Sequence, residues 1–476
     1  MKMTGPEASY LKGKKVLIFG LKRSGRAAAL TLRGLGADVC VTDMKTAAGL
    51  AEEIKGLPED IGLYLGGHPE EAIDGVDTIV VSPGVPMGIP LLRKAAGLGI
   101  EIIGELELGY RLFKYENPEL EFYAVTGTNG KSTTSTLLHF MLREAGRQSV
   151  LAGNIGRALT GFNQKNQRQE NARSIDSIVV EVSNFQLEAV SEFKPRIASI
   201  LNLAPDHLDR YPDINAYYRA KMRIYERQDG GDYLVLNAGD PVCRRIAGNL
   251  KNADSAPKII YFGKTSEAGV SERGVFERAG SVLINLPGMN DMELIKASDI
   301  KIKGAHNLEN AMAAACMALL AGVPVGSVQK SLVKFSGLPH RMEFVRELDG
   351  VSYINDSKGT NPPAVLRSLE SFGENPIILI AGGRDKNGDF GSLREAVKKH
   401  VKLVVLIGEA SGKIEVALSG AAPMVRARDM GEAVRLSKGA ARPADVVLLS
   451  PACASFDMFT DFEDRGRRFA GEVQRL

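Results

Sequence analysis

No apolar run in this chain approaches the ~18 residues that a membrane-spanning helix requires. The first one, residues 16–19, stops at a glycine, so no secretory leader is expected either. Cysteine is scarce: Cys40, Cys243, Cys316 and Cys453 are widely spaced and form no Cys-x-x-Cys pair. They read as small buried hydrophobes in a reducing compartment. An excess of one charge is also missing. With 60 basic and 57 acidic residues the net charge is +3, so no basic field for nucleic acid is present. These absences predict a cytoplasmic protein with no membrane or nucleic-acid partner. The 44% hydrophobic and 25% charged residues fit a soluble globular chain. At 476 residues there is room for three domains of ~150 residues each.

What is present is a phosphate-binding pattern at residues 122–134. A β-rich apolar run, 122–125, feeds a turn that begins at Gly127, continues through Thr128 and Asn129, and ends at Gly130. Lys131, Ser132 and Thr133 then open a segment whose Leu137, Leu138, Met141 and Leu142 recur at helical spacing. Glycines let backbone N–H groups converge on phosphate oxygens, and the helix N-terminus adds partial positive charge. The lysine supplies a full charge and the next hydroxyl can hold Mg²⁺. The loop is shorter than the general motif, because Val125 stands where that motif has its first glycine.

Strand and helix signals alternate along the whole chain, which predicts three α/β domains over residues 1–114, 115–336 and 337–476. In the first, strands are expected at 16–19, 39–42, 78–81 and 102–103, with a helix from about Ser24. Gly20 and Gly25 bracket a turn that resembles a dinucleotide fingerprint but lacks its middle glycine. With Lys22, Arg23 and Ser24 beside a helix start, it suits a diphosphate or a nucleotide-sugar group equally well. Strands at 178–182, 198–203, 233–236 and 259–262 and a helix at 308–320 are expected in the second domain. Residues 268–304 read as a polar, β-rich stretch with no assignable role. The third is expected to be doubly wound, with strands at 353–355, 377–380, 403–407 and 446–449.

Polar clusters fall at the predicted strand ends, where open α/β sheets present ligand-binding side chains. Glu181 follows an apolar strand, as a Mg²⁺-holding carboxylate does in a phosphate-loop domain. His207, between Asp206 and Asp209, can offer a neutral nitrogen to a metal. Lys221, in a helix expected over about 215–228, reads as an ordinary solvated lysine. In the third domain, Asp356 and Lys358 are two apart and would share one side of a strand. Those two, Lys386, and the run from Ser450 through Ser455 to Phe456 end three strands of one sheet and favour an anionic small-molecule site.

Taken together, these motifs resemble the Mur ligase family, the amide-forming ligases of peptidoglycan precursor synthesis, and within it the branch that adds D-glutamate. The resemblance rests on Thr126-Gly-Thr-Asn-Gly-Lys-Ser-Thr133, Gly153-Asn-Ile-Gly156, Glu181 with Ser183-Asn-Phe-Gln-Leu187, and Asp206-His-Leu-Asp-Arg-Tyr211. Tyr218-Arg-Ala-Lys221, His306-Asn-x-x-Asn310, Leu338-Pro-His-Arg341, Asn355-Asp-Ser-Lys-Gly-Thr-Asn361 and Leu449-Ser-Pro-Ala-Cys-Ala-Ser455 extend it over nearly the whole chain. It implies a Rossmann-like N-terminal domain, a central P-loop ATPase-like domain and a C-terminal ligase domain, acting as a monomer. It also implies ATP, two Mg²⁺ sites, and UDP-N-acetylmuramoyl-L-alanine and D-glutamate as substrates.

Residue by residue, the resemblance implies that Lys131 binds phosphates, that Ser132 and Glu181 hold one Mg²⁺, and that His207 serves a second. Lys221 matches the family lysine that is carbamylated. Asn307, Asn310, Arg341 and Asp356 are expected at the adenosine, with Lys358 near phosphate. Thr360, Lys386, Ser455, Phe456 and Phe462 are expected around D-glutamate. Arg23, Ser24, Asp43, Gly84 and Asn154 are expected at the UDP substrate, where Met44 and Lys45 depart most from the family pattern. Sister ligases adding L-alanine or diaminopimelate, folylpolyglutamate synthase, and a non-catalytic nucleotide-binding regulator are the competing readings. The Asp-Asn-Pro-Arg motif of the diaminopimelate-adding enzymes is absent.

Overall fold

The computed structural model describes residues 11–162, 175–205, 210–251, 255–264, 273–385 and 388–476. The chain forms two compact units, one of residues 1–300 and 308–333, the other of residues 301–307 and 334–476.

The first unit holds two sheets. Its N-terminal sheet is built from Lys15–Phe19 (β1), Asp38–Asp43 (β2), Gly62–Leu65 (β3), Thr78–Val81 (β4) and Glu101–Gly104 (β5), all parallel, in the order β3-β2-β1-β4-β5. Helix α1 (Arg23–Gly34) buries Ala28, Ala29 and Leu32 against Val16, Ile18, Val39 and Val41 of this sheet. The strand order reverses between β1 and β4. The turns after these two strands therefore line the crevice where open α/β sheets take ligands.

The second sheet has nine strands: Glu121–Thr126 (β6), Ser149–Gly153 (β7), Ser177–Glu181 (β8), Ile197–Ile200 (β9), Tyr233–Asn237 (β10), Lys258–Lys264 (β11), Gly274–Arg278 (β12), Ser281–Leu286 (β13) and Met289–Lys296 (β14). Their order is β14-β13-β12-β11-β10-β9-β6-β8-β7. The described part of the stretch 268–304, residues 273–304, thus acquires a structural place: β12, β13 and β14 pair antiparallel and extend the edge of an otherwise parallel sheet. Strand β6 is buried on both faces and lies between β8 and β9. Helix α2 (Glu105–Glu116) joins the two sheets. Its buried Glu107 accepts from the backbone N–H of Ser191, Glu192 and Phe193 at 2.8–3.1 Å, so the helix is anchored through its own carboxylate.

The second unit contains a six-stranded sheet of Glu343–Leu348 (β15), Val351–Asn355 (β16), Ile377–Gly382 (β17), Val401–Ile407 (β18), Met424–Arg426 (β19) and Val446–Leu449 (β20). The order is β15-β16-β20-β17-β18-β19, with β15 antiparallel to β16 and the other pairs parallel. One apolar layer covers each face: Val365, Leu369 and Val397 on one side, Val434, Phe469 and Val473 on the other. No helix among the described residues is long and apolar enough to cross a membrane.

Candidate active site

Register sets the first cluster. Val125 on β6 pairs with Glu181 on β8, and Thr126 with Ile200 on β9, so all three strands end where the phosphate loop begins. Gly127 and Gly130 have φ of +151° and +83°, a backbone that side chains rarely adopt. A Cβ on Gly130 would stand 2.1 Å from Asn310 Oδ1. The loop is pinned from outside by a residue not singled out in the sequence: Asn202 Oδ1 accepts from Asn129 N at 2.8 Å, and Asn202 O accepts from Thr128 N at 2.9 Å. Helix α3 (Lys131–Glu144) then starts at Lys131 and buries Ser132; Thr133 is the third residue of its first turn.

Two ammonium groups converge on this loop. Lys131 Nζ donates to Gly127 O at 2.9 Å and to Thr128 O at 3.0 Å. Lys221 Nζ donates to the same Gly127 O at 3.0 Å and lies 4.9 Å from the centroid of the Tyr217 ring. The solvated reading of Lys221 is therefore overturned. Helix α4 ends at Met222 rather than near residue 228, spanning Ile214–Met222, and its inner face leaves Lys221 only 1% exposed. Glu181 is equally buried. Its Oε1 accepts from Asn154 Nδ2 at 2.7 Å, whereas Oε2 is enclosed with no hydrogen-bond partner among the described residues. A buried carboxylate oxygen left unpaired beside a phosphate loop fits a hard divalent cation. Among the described residues no three His, Cys, Asp or Glu stand together as a metal cage. His207 lies outside the described residues.

The N-terminal turns belong to the same unit. Gly25 must be glycine because a Cβ there would meet Gly20 O at 1.8 Å. Ser82 Oγ donates to Gly20 O at 2.8 Å, closing the two turns on each other. Asp43 accepts from Leu21 N and Lys45 N at 2.9 Å, which fixes the β2 end beside the glycine turn, while Met44 is exposed. Ser24 is half-buried in the first turn of α1. Arg23 donates to the carbonyls of Gly153, Asn154 and Gly156, clasping the loop that carries Asn154. Arg210 donates to Gly84 O at 3.1 Å and Val85 O at 3.0 Å.

In the second unit Asn355 and Leu449 are paired, as are Ile380 and Leu449, so β16 and β20 end level and β17 runs two residues further, to Gly382. The loops 355–361, 382–385 and 450–456 share that edge; Lys386 lies outside the described residues. Strand alternation does not relate Asp356 to Lys358, because β16 stops at Asn355 and both sit in the turn beyond it. Asp356 is buried and accepts from Ser368 Oγ and Ser450 Oγ at 2.7 Å. Burial holds its carboxyl above the ordinary aspartate range, against the pull of the two serines and Arg341. Lys358 is exposed and stacks 4.5 Å from the centroid of the Phe462 ring. Thr360 is half-buried, Ser455 is buried and Phe456 is 60% exposed. Asn307 anchors its amide on Lys303 O at 2.8 Å.

Three family models match the chain: a Mur ligase MurD-like N-terminal domain over residues 14–104, a Mur ligase middle domain over 125–318 and a Mur ligase glutamate ligase domain over 340–453. The chain belongs to the Mur ligase family. Curated Mur ligases named UDP-N-acetylmuramoylalanine–D-glutamate ligase are similar to it from end to end. That of Pelotomaculum thermopropionicum is 41% identical, covering 97% of this chain and 98% of its own, and that of Clostridioides difficile 39%, covering 98% and 99%. Among solved structures, the UDP-N-acetylmuramate–alanine ligase of Thermotoga maritima superposes with a TM-score of 0.57 at 20% identity, over 97% of this chain and 99% of its own. A pseudomurein peptide ligase from Methanothermus fervidus gives 0.56 at 17%, over 97% and 100%. At such identities these two share the fold. Mur ligases use ATP and Mg²⁺.

Proposed function

We propose that this chain adds D-glutamate to UDP-N-acetylmuramoyl-L-alanine with conversion of ATP to ADP and phosphate, in peptidoglycan precursor synthesis. The observation that carries the reading is the convergence of Lys131, Lys221 and Glu181 on one shortened phosphate loop, in a chain about 41% identical to D-glutamate ligases from end to end. Residues 1–114 hold the uridine nucleotide through the turns after β1 and β4. Residues 115–336 hold the ATP phosphates, and residues 337–476 hold the amino acid.

The chemistry starts from a repulsion problem: the alanine carboxylate must attack the γ-phosphorus of ATP, and both are anions. Lys131 and the N-terminus of α3 draw the phosphates into place. Ser132 and Glu181 would hold one Mg²⁺, and His207 with a carbamylated Lys221 would serve a second; ions bound there would supply neutralisation of the charge that builds up. Carbamylation suits Lys221, since it would replace one of two ammonium groups crowding a single carbonyl with a carboxylate. A carboxylate oxygen bonds to phosphorus, the β–γ bridging bond breaks, and ADP leaves. The amine of D-glutamate then attacks the acyl carbon and loses a proton, and the C–O bond to phosphate breaks. Asn307, Asn310, Arg341 and Asp356 flank the adenosine, with Lys358 near phosphate. Thr360, Ser455 and Lys386 receive the carboxylates of D-glutamate, with Phe456 and Phe462 beside it. Little covalent participation by the protein is required; positioning carries most of the rate.

An isotope label tests this path. With ¹⁸O in the alanine carboxylate, one labelled oxygen should appear in the released phosphate. Unlabelled phosphate, or label in AMP, contradicts an acyl-phosphate route.

A further inference from the structure

Arg465 is the largest fully buried side chain among the described residues, at 0% exposure, and no role at the site has been given to it. It stands on α5 (Phe462–Gln474), one turn in from the N-cap Asp461. That is an unfavourable place for a cation, because the helix dipole presents its positive end there. Burial adds to the cost and pulls the guanidinium down to about 10, so it stays charged at neutral pH. Among the described residues no carboxylate forms an ion pair with it; Asp457 and Asp356 act on it only through the field. A buried, unpaired charge persists only when its hydrogen bonds are complete.

They are complete, and their destinations are specific. Nε donates to Ser357 Oγ at 3.0 Å, and Nη2 to Ser357 O at 2.9 Å and Cys453 O at 3.1 Å. Nη1 donates to Cys453 O at 3.1 Å and Ala454 O at 3.3 Å. One planar fork thus ties the loop after β16 to the loop after β20, a task for which an ammonium lacks the geometry. The tied segments are strained and close-packed. Ala452 has a φ of +59°, and a Cβ on Gly383 would meet Ala454 O at 2.2 Å. Ser357 lies between Asp356 and Lys358, three residues before Thr360, and Ala454 immediately precedes Ser455 and Phe456.

We infer that Arg465 is a positioning residue for the amino-acid substrate, holding the Thr360 and Ser455 loops at a fixed separation and placing a positive charge beneath them for a dicarboxylate. The inference rests on the reading that D-glutamate is the added amino acid. Its test compares Arg465→Lys, Arg465→Ala and a control, Phe469→Leu, which thins the core on the same helix. For Arg465→Lys, KM for D-glutamate should rise about tenfold or more, KM for ATP by clearly less, since Asp356 and Lys358 flank the tied Ser357, and KM for the UDP substrate should stay nearly unchanged. Millimolar guanidinium should partly restore Arg465→Ala. Phe469→Leu should lower Tm without moving that KM. Equal changes in all three KM values, or a lowered Tm with KM for D-glutamate intact, would overturn the inference.

Amide hydrogen exchange provides a readout independent of the reaction. Arg465→Lys should speed exchange at residues 356–361 and 452–456 and leave the rest of the second unit as it was. Unchanged or uniformly faster exchange would contradict the tie between the loops. If the wild-type protein ignores D-glutamate, the functional reading fails, and exchange alone decides whether Arg465 holds the two loops.

Discussion

Glu105 opens α2 with a buried carboxyl whose two oxygens are treated unequally. Oε1 accepts from Thr160 N and Thr160 Oγ1 at 2.7 Å, and Oε2 has no hydrogen-bond partner among the described residues. Burial raises its proton affinity above that of an exposed glutamate, against the hydrogen bonds from Thr160 and the field of Arg23. The native state therefore binds more protons than the unfolded chain. Stability from this group is full below the unfolded value near 4.5 and is lost as pH rises through the folded value. Glu105→Gln removes that titration, so its urea midpoint should fall less than the wild type's between pH 5 and pH 8. Parallel falls would show that Glu105 does not titrate differently on folding. At the site itself, Glu181→Gln should raise the Mg²⁺ needed for half-maximal activity and lower kcat by about 10²-fold or more. Lys221→Ala should be nearly inactive and regain activity with short-chain carboxylic acids; a folded variant that no acid rescues would contradict the carbamate. Residue types alone did not separate these groups from their neighbours. Lys221 reads as a solvated helix cation in the sequence and Arg465 stands in no motif there, and only packing shows that both are buried.

Elements were more legible than side chains. Apolar runs of three or four residues bounded by glycine or polar residues mark β1, β6, β8 and β20 because strands of parallel sheets are covered on both faces. Boundaries were less so. The strand expected to reach residue 203 ends at Ile200, since Leu201 and Leu203 are buried from a loop rather than from the sheet. The lysine helix stops early at a 3-10 turn, Arg223–Tyr225. Gly153 joins an element to the site: its φ is +97°, and a Cβ there would meet Glu181 O at 2.4 Å. Gly153→Ala forces backbone to move at the end of β8 and should cost about 2 kcal/mol or more, read from the urea midpoint. An unchanged midpoint would mean that β7 and β8 separate freely there.

At the scale of the molecule, alternation of strands and helices announced three α/β domains, and the family motifs in fixed order announced their sequence along the chain. Strand order lay beyond reach, because pairings such as β6 with β8 and β9 are contacts between distant segments with no local signature. The same holds for the pairing of the edge β12–β14, which appeared as a polar, β-rich stretch with no assignable role. The central claim is that this three-domain chain joins D-glutamate, and not another amino acid, to a UDP-linked alanine. The most direct measurement is ADP release with UDP-N-acetylmuramoyl-L-alanine and ATP while the amino acid is varied. Release should depend on D-glutamate and fall to background with L-lysine, L-alanine or diaminopimelate. Equal rates with D-glutamate and L-lysine, or no release with D-glutamate, would contradict it.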